Sequence, residues 1–245
     1  MFDRVYLHVG MHKTGSSYLQ YCLGVLSAKG LLVDVDYPLT SVVADDRSSQ
    51  VGNGQQIAGF LLRDEVCSEC GEHLSGYVDK VFESSNSGKS SVIISSEEFW
   101  LLDVEKYYAL KSELLRYAKE VVPIIYVRPI EDTCKSAYQQ IIKDTGGYFK
   151  YDVDFVRDYS VEIVEGVKSL DKYFDGRVVE YSKSRVLEDF LSLIGEDSII
   201  AEGFYGVRVN RSLSDLELEL LRLINSIFES RNISLAVCKA WLSSM

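Results

Sequence analysis

The fold class that the sequence predicts is α/β, with a three-layer, doubly wound and mostly parallel sheet. Short runs of β-branched residues alternate along the chain with segments whose apolar residues recur at helical spacing. This alternation is typical of a parallel sheet with helices on both faces. The chain has 245 residues, of which 47% are hydrophobic and only 3 are proline, so it is long and apolar enough to bury a core.

The individual elements follow from composition and periodicity. Buried strands are predicted at 5–9, 91–95, 124–127 and 177–181. Helices are predicted at 16–26, 104–119, 132–143, 155–174, 185–194 and 212–230. Residues 33–90 are rich in Ser, Gly, Asp and Asn and fit the alternation poorly. We therefore expect a single domain over residues 1–245, with 33–90 as an insertion over the rim of the sheet.

Charge and composition exclude several classes of partner. The formal net charge of −11 repels phosphate backbones and anionic lipid, so nucleic acid is not an expected partner. The longest strongly apolar run, 121–127, is far shorter than the roughly 20 residues of a membrane helix. The N-terminus lacks the apolar core of a signal peptide, and the 5 cysteines are odd in number, so we expect a cytoplasmic protein with free thiols.

A metal site is not expected. Cys67 and Cys70 have zinc-ligand spacing and His73 follows them, but a second pair of ligands is missing. Buried thiols in a loop or helix are the simpler interpretation of this pair.

The turn after the first predicted strand has the composition of a phosphate-binding loop. It spans residues 10–17, with the sequence Gly-Met-His-Lys-Thr-Gly-Ser-Ser. Gly10 and Gly15 permit a left-handed backbone and a close approach, while Lys13 adds a full positive charge. Ser16 and Ser17 add hydroxyl donors at the start of a helix whose N–H groups point at an anion. The lysine lies two residues before the second glycine, so the loop differs from the Walker pattern.

A second cationic site follows the third predicted strand. Arg128 ends that strand and Ser136 lies eight residues later on the next helix. An arginine at a strand's carboxyl end and a hydroxyl one to two turns into the following helix can hold one phosphate between them. Asp132 suits the start of the same helix electrostatically, which favours a capping role for it.

The loop at residues 10–17 resembles the 5′-phosphosulfate loop of sulfotransferases that use 3′-phosphoadenosine 5′-phosphosulfate (PAPS), particularly bacterial members with a His-Lys-Thr-Gly core. The resemblance implies a P-loop nucleotide-kinase-like fold in which Lys13 contacts the 5′-phosphate and the bridging oxygen. It implies that Tyr18 lies near the adenine and that Arg128 and Ser136 form the 3′-phosphate motif. The cofactor-binding residues expected on this basis are Gly10, Lys13, Thr14, Gly15, Ser16, Ser17, Tyr18, Arg128, Ser136 and Arg208.

Arg208 belongs to a late stretch, 203–212, that resembles the loop with which such enzymes close over the nucleotide. We prefer Arg208 over the neighbouring Arg211 as the contact. A plain helix-entry loop capped by Ser212 is the alternative. Tyr181, after the fourth predicted strand, is interpreted as a core tyrosine or as part of the nucleotide site.

The resemblance also implies a catalytic histidine or glutamate after the second predicted strand. Sulfuryl transfer needs a base for the acceptor proton and a cation for the charge on the leaving phosphate oxygen. We assign Glu97 as the base and Lys13 as the cation, with His12 as the alternative base. Glu98 would project to the opposite side if the strand continued that far. The transferred group carries less negative charge than a phosphoryl group, so no metal is required.

The sequence thus predicts a sulfotransferase that moves a sulfuryl group from PAPS to a hydroxyl of a carbohydrate or another small metabolite. Two alternatives remain open. A P-loop small-molecule kinase would have a similar sheet but requires Mg²⁺, ATP and a lysine after the second glycine. A non-catalytic protein on the same fold would bind the nucleotide without turnover. The insertion at 33–90 is expected to line the acceptor side, but the identity of the acceptor and the oligomeric state are not predicted.

Overall fold

The computed structural model describes residues 1–11, 13–39, 52–63, 73–85, 88–147, 149–173, 175–207 and 214–230. Contacts between Cα atoms divide the chain into two compact units. The first comprises Met1–Arg128 and Glu165–Asn210, and the second comprises Pro129–Val164 and Arg211–Met245. The first unit contains the whole sheet.

The sheet has five strands, all parallel. In chain order they are β1 (Phe2–Gly10), β2 (Val35–Asp36), β3 (Ser91–Ser96), β4 (Ala118–Val127) and β5 (Arg177–Glu180). Their order across the sheet is β2-β3-β1-β4-β5. β1 is therefore the central strand, with β3 on one side and β4 on the other. This arrangement confirms the predicted α/β class and its parallel sheet.

The helices lie between the strands in sequence or follow the last strand, as predicted. They are α1 (Ser16–Ala28), α2 (Gln55–Leu62), α3 (Leu74–Glu83), α4 (Val104–Leu114), α5 (Ile130–Thr145), α6 (Val153–Tyr173), α7 (Val186–Ile194) and α8 (Asp215–Ser230). Short 3-10 helices follow β3 at Glu97–Leu101 and α7 at Ser198–Phe204. None of the helices in the described part of the chain is both long and apolar enough to cross a membrane.

Both faces of the sheet are covered. On one face, Tyr6 and Tyr126 pack in a cluster with buried residues of α1 and α7, among them Leu23 and Phe190. Side chains of neighbouring residues alternate between faces, and Leu7, next to Tyr6, is likewise fully buried. A buried surface on both sides explains why the central parts of β1, β3 and β4 are mostly apolar.

Some element boundaries differ from the prediction, and one strand was missed. The predicted helix 104–119 ends at Leu114, and Ala118 already pairs with Phe2 as the first residue of β4. The strand β2 was not predicted, because two residues are too few to show an alternating pattern. It is held by Glu196, whose carboxylate accepts hydrogen bonds from the N–H groups of Val33, Asp34 and Val35 at 2.8 to 2.9 Å.

The second unit has a small core of its own. Tyr138 and Ile142 of α5 pack against Leu218 of α8. The side-chain amide of Asn225 on α8 donates to the carbonyls of Ile142 and Gly147, at 3.0 and 2.9 Å. These bonds fix α8 against the end of α5.

Candidate phosphate-binding and active site

Those predicted site residues of the first unit that the structure describes lie at one edge of the sheet. The carboxyl ends of parallel strands meet at the same edge, which is where α/β proteins bind ligands. The register pairs Val9 with Ser96 and Gly10 with Tyr126. The loop after Gly10 therefore leaves the sheet between the residues that follow β3 and those that follow β4.

The loop between β1 and α1 is a tight turn with two left-handed residues. Lys13 has φ 67° and Gly15 has φ 75°. Thr14 closes the turn, because its N–H and its hydroxyl both donate to the carbonyl of Met11, at 3.3 and 2.6 Å. A Cβ at Gly10 would stand 1.9 Å from Ser16 Oγ, so only glycine fits there without a shift of Ser16.

The start of α1 supplies the donors of the loop. Gly15 is the N-cap and provides no side-chain cap. The main-chain hydrogen bond from Leu19 N to Gly15 O, at 3.0 Å, closes the first turn. The N–H groups that precede it lie at the positive end of the helix, the part of a helix that binds anions. Ser16 is 3% exposed, and its Oγ has no hydrogen-bond partner among the described residues.

Arg128 lies against this loop. Its Nη1 donates to the main-chain carbonyl of Lys13 at 3.1 Å, and its Cζ is 5.6 Å from the ring centre of Tyr181. The Tyr181 ring also stands behind Gly15, where a Cβ would come within 2.9 Å of Tyr181 Cε2. Burial raises the pKa of Tyr181, while Arg128 acts to lower it. The structure thus brings Lys13, Arg128 and Tyr181 together from three strand ends.

Glu97 lies on the other side of the loop. β3 ends at Ser96, and Glu97 opens the 3-10 helix. The hydroxyl of Ser96 caps this helix by accepting from Glu98 N at 3.2 Å and donates to Gln55 Oε1 at 3.0 Å. The strand does not reach Glu98, so the strand alternation does not apply to it; both glutamates are half-buried.

The remaining predicted residues are placed as follows. Tyr18 is half-buried on α1, where its hydroxyl donates to the carbonyl of Phe204 at 3.4 Å. Burial, and secondly the Cys22 thiol, raise the pKa of Tyr18.

Of the other predicted residues, Ser136 is half-buried on α5 in the second unit. Ser17 is half-buried in the first turn of α1. His12, Arg208, Cys67 and Cys70 lie outside the described residues.

Beneath the loop lies a buried polar network that the sequence analysis missed. His8 on β1 and Ser95 on β3 are register partners, and His8 Nδ1 is 2.8 Å from Ser95 Oγ. Gln20 on α1 donates from Nε2 to the same Ser95 Oγ at 3.0 Å. Burial lowers the pKa of His8 to about 3, so the ring is neutral at ordinary pH. An inward-facing histidine in a strand that is otherwise apolar is the one sequence signal that could have pointed to this network.

A cavity of about 240 Å³ lies between α2 and α3. Its lining includes Asn53, Gln56, Tyr77 and Lys80, all from the segment 33–90. None of the predicted site residues lines it, so it is separate from the loop at residues 10–17.

Comparisons with known proteins give similarities of fold. A sulfotransferase from Alicyclobacillus acidocaldarius is 13% identical, with a TM-score of 0.44, over 95% of this chain and 97% of that one. A fungal RNA kinase is 9% identical, with a TM-score of 0.32, over 92% and 98%. A retinol dehydratase in complex with androsterone and the inactive cofactor PAP is 13% identical, with a TM-score of 0.31, over 91% and 64%.

Neither a protein-family model nor a curated protein sequence matches the chain. At 9–13% identity, the similarity to the three solved structures is one of fold alone.

Proposed function

We propose that this chain is a sulfotransferase that moves a sulfuryl group from PAPS to a hydroxyl of a carbohydrate or another small metabolite. The observation that carries the proposal is the hydrogen bond from Arg128 to the main chain of Lys13. It brings the guanidinium of Arg128 to the main chain of the loop that carries Lys13, in a protein with net charge −11. A nucleotide with phosphates at two positions needs two such cations, whereas the field of the whole protein repels it.

The loop fits a phosphate group. Gly10 has no side chain, and Gly15 packs against Tyr181. Neither residue places a side chain between the main chain of the loop and a bound phosphate. Ser16 offers a buried hydroxyl that has no partner among the described residues. An anion at the start of α1 satisfies both the hydroxyl and the helix N–H groups.

The residues divide into two groups by the phosphate they hold. Gly10, Lys13, Gly15, Ser16 and Ser17 surround the 5′-phosphate, and Thr14 holds the turn closed through Met11. Tyr18 takes the adenine side. A guanidinium has five N–H donors, so the bond to Lys13 occupies one of them, and we assign Arg128 to the 3′-phosphate together with Ser136 and Arg208.

PAPS supplies an activated sulfuryl group on a good leaving phosphate, which allows transfer without a metal. Glu97 accepts the proton of the acceptor hydroxyl as the new S–O bond forms; His12 is the alternative base. Lys13 stabilises the negative charge that the phosphate oxygen gains when its bond to sulfur breaks. Alignment of the two reactants at one sheet edge provides the rest of the acceleration.

Calorimetric titration tests the proposal. We expect adenosine 3′,5′-bisphosphate to bind more tightly than ADP with Mg²⁺. Lys13→Ala and Arg128→Ala should each weaken bisphosphate binding by about tenfold or more, since charge-assisted hydrogen bonds are lost.

The matched controls are Lys119→Ala and Arg4→Ala. These exposed cations lie near the amino ends of β4 and β1, in ion pairs with Asp3 and Glu120, far along the strands from the loop. Both variants should bind like the wild type. Tight ADP binding that is indifferent to a 3′-phosphate would refute the proposal. A screen with labelled donor over sugars and small alcohols then identifies the acceptor.

A further inference from the structure

Two buried polar atoms under the phosphate loop lack hydrogen-bond partners among the described residues. They are His8 Nε2 and Ser16 Oγ. Both residues flank the same point of the main chain, since Ser16 Oγ and His8 Cε1 lie within 3.3 Å of the position that a Cβ of Gly10 would take. An unsatisfied buried donor or acceptor costs about 1–3 kcal/mol, so two at one place call for a physical explanation.

With the Gln20 amide oriented as in the structure, the network on the far side of His8 indicates which of its nitrogens carries the hydrogen. Gln20 Nε2 can only donate, and it donates to Ser95 Oγ. The hydroxyl of Ser95 has a single hydrogen, and its oxygen also lies 2.8 Å from His8 Nδ1, which can accept that hydrogen. When Ser95 donates to Nδ1, the neutral ring carries its own hydrogen on Nε2. Burial, which lowers the pKa of His8 to about 3, keeps the ring neutral.

We propose that His8 is a positioning residue for the phosphate loop. Its Nε2–H donates to Ser16 Oγ through one water, since the structure shows no direct bond between the two atoms, so that the hydroxyl hydrogen of Ser16 points out of the loop at the bound anion. The chain of donors runs in one direction from Gln20 through Ser95, His8 and Ser16. The proposal rests on the proposed function for the identity of the anion, the 5′-phosphate of the nucleotide.

The direction of this chain matters for binding. A serine hydroxyl can present either its hydrogen or its lone pairs to a ligand. A hydroxyl that donates inward to His8 would turn its lone pairs toward the phosphate and repel it. A hydroxyl that accepts from Nε2–H is set up as a donor before the anion arrives, and successive hydrogen bonds strengthen one another.

The orientation of the Gln20 amide decides between the two directions. With the amide oxygen toward Ser95, the serine would donate to Gln20 and His8 would carry its hydrogen on Nδ1. Nε2 would then accept from Ser16. The position of the hydrogen on His8 therefore distinguishes the proposed direction of hydrogen bonding from the opposite direction.

The first test is ¹⁵N NMR of the full chain labelled at histidine. The chain has 3 histidines, so His12→Gln and His73→Gln assign the resonances of His8 by elimination. We expect His8 to be neutral with its hydrogen on Nε2, and we expect the Nε2–H resonance to move when adenosine 3′,5′-bisphosphate or inorganic phosphate is added. An Nδ1–H ring, or an Nε2–H resonance that does not respond to saturating ligand, would overturn the proposal.

The second test compares two buried serines of β3. Ser95→Ala removes the partner of Nδ1, so we expect a mixture of the two neutral forms of His8 and a loss of bisphosphate affinity of about threefold to tenfold. Ser91→Ala is the matched control, because Ser91 is buried at the other end of the same strand. It should change neither His8 nor the affinity. If Ser95→Ala and Ser91→Ala changed the affinity equally, the role of Ser95 would be merely structural and the proposal would be overturned.

The two proposals fail in different ways. A wild-type protein that binds no bisphosphate would refute the proposed function. The same His8 resonance, followed with inorganic phosphate, would still decide the direction of the hydrogen-bond chain.

Discussion

Two turns of this protein, at residues 10–17 and 88–90, carry a glycine, a lysine and a serine close together, but their lysines make different contacts. In the loop at residues 10–17, Lys13 adopts a left-handed backbone and its carbonyl accepts from Arg128. In the turn before β3, Lys89 Nζ donates to the carbonyls of Leu32 and Val33 at 2.6 and 2.9 Å. The first turn follows a strand and the second precedes one, so they lie at opposite edges of the sheet.

The difference shows that a turn with the composition of a phosphate-binding loop indicates an anion site only when it follows a strand and leads into a helix. Lys89 serves the structure, since it ties β3 to the segment that leads into β2. The loop with Lys13 instead has a strained backbone and a buried hydroxyl without a partner among the described residues. Strain and unsatisfied groups gather where a ligand completes the structure.

The largest effect is expected at the most crowded point of the loop. Gly10→Ala places a Cβ 1.9 Å from Ser16 Oγ, which forces the buried serine to move. We expect a loss of about 1–3 kcal/mol in the free energy of unfolding and a loss of bisphosphate affinity of about tenfold or more. Denaturant titration and calorimetry measure the two. Gly59→Ala in α2 is the control, because nothing lies within 4 Å of its Cβ position; the comparison fails if both variants behave alike.

Replacing each of the two lysines, Lys13 and Lys89, should separate effects on ligand binding from effects on stability. Lys13→Gly keeps the left-handed backbone without its strain, so we expect stability within about 1 kcal/mol of the wild type and a loss of affinity of about tenfold or more. Lys89→Met leaves two carbonyls without their donor, so we expect a loss of about 1 kcal/mol in stability and unchanged bisphosphate affinity. A Lys89→Met variant with weakened nucleotide binding would contradict this division.

The buried histidine predicts a pH dependence of stability. Burial lowers the pKa of His8 to about 3, below its ordinary value of 6.5, so the unfolded chain binds a proton that the folded chain excludes. The contribution is complete above pH 6.5 and is lost as the pH falls toward 3. We expect it to lower the free energy of unfolding by about 1 kcal/mol between pH 6 and pH 5.

His8→Asn should remove that slope, and His73→Gln, at an exposed position, should retain it. Denaturant titrations at pH 5, 6 and 7 make the comparison. An identical slope in His8→Asn would assign the effect to other groups.

The smallest effect is expected at Tyr181. Its ring supports Gly15 and lies 5.6 Å from the Arg128 guanidinium, a contact worth about 0.5–1 kcal/mol. Tyr181→Leu should therefore weaken bisphosphate binding by about twofold to fivefold, whereas Tyr181→Phe keeps the ring and should bind like the wild type. Equal loss in both variants would point to the hydroxyl instead of the ring.

The sequence predicted the parallel α/β fold, because the centre of each long strand is mostly apolar and the predicted helices have clear periodicity. It placed the start of β4 too late, at residue 124, after Pro123. The structure accommodates Pro123 because β5 begins to pair only at Ile124, opposite Arg177, so that side of β4 is an edge at the proline. A pairing limit of this kind is a tertiary property and leaves no local pattern.

The candidate site was predictable in part. The spacing of Gly10, Lys13 and Gly15 indicated the loop, and the sequence order placed Arg128 at the same edge. The contact of Arg128 with the Lys13 carbonyl and the network of His8, Ser95 and Gln20 were not predictable. They depend on the register between strands that are distant in sequence, which a single sequence does not contain.

The most direct measurement compares adenosine 3′,5′-bisphosphate with adenosine 5′-monophosphate by calorimetry. If the loop holds one phosphate and Arg128 the other, the wild type binds the bisphosphate about tenfold or more tightly. Arg128→Ala then abolishes that preference, while Lys13→Ala weakens both ligands alike. Equal affinity of the wild type for the two nucleotides would contradict the account.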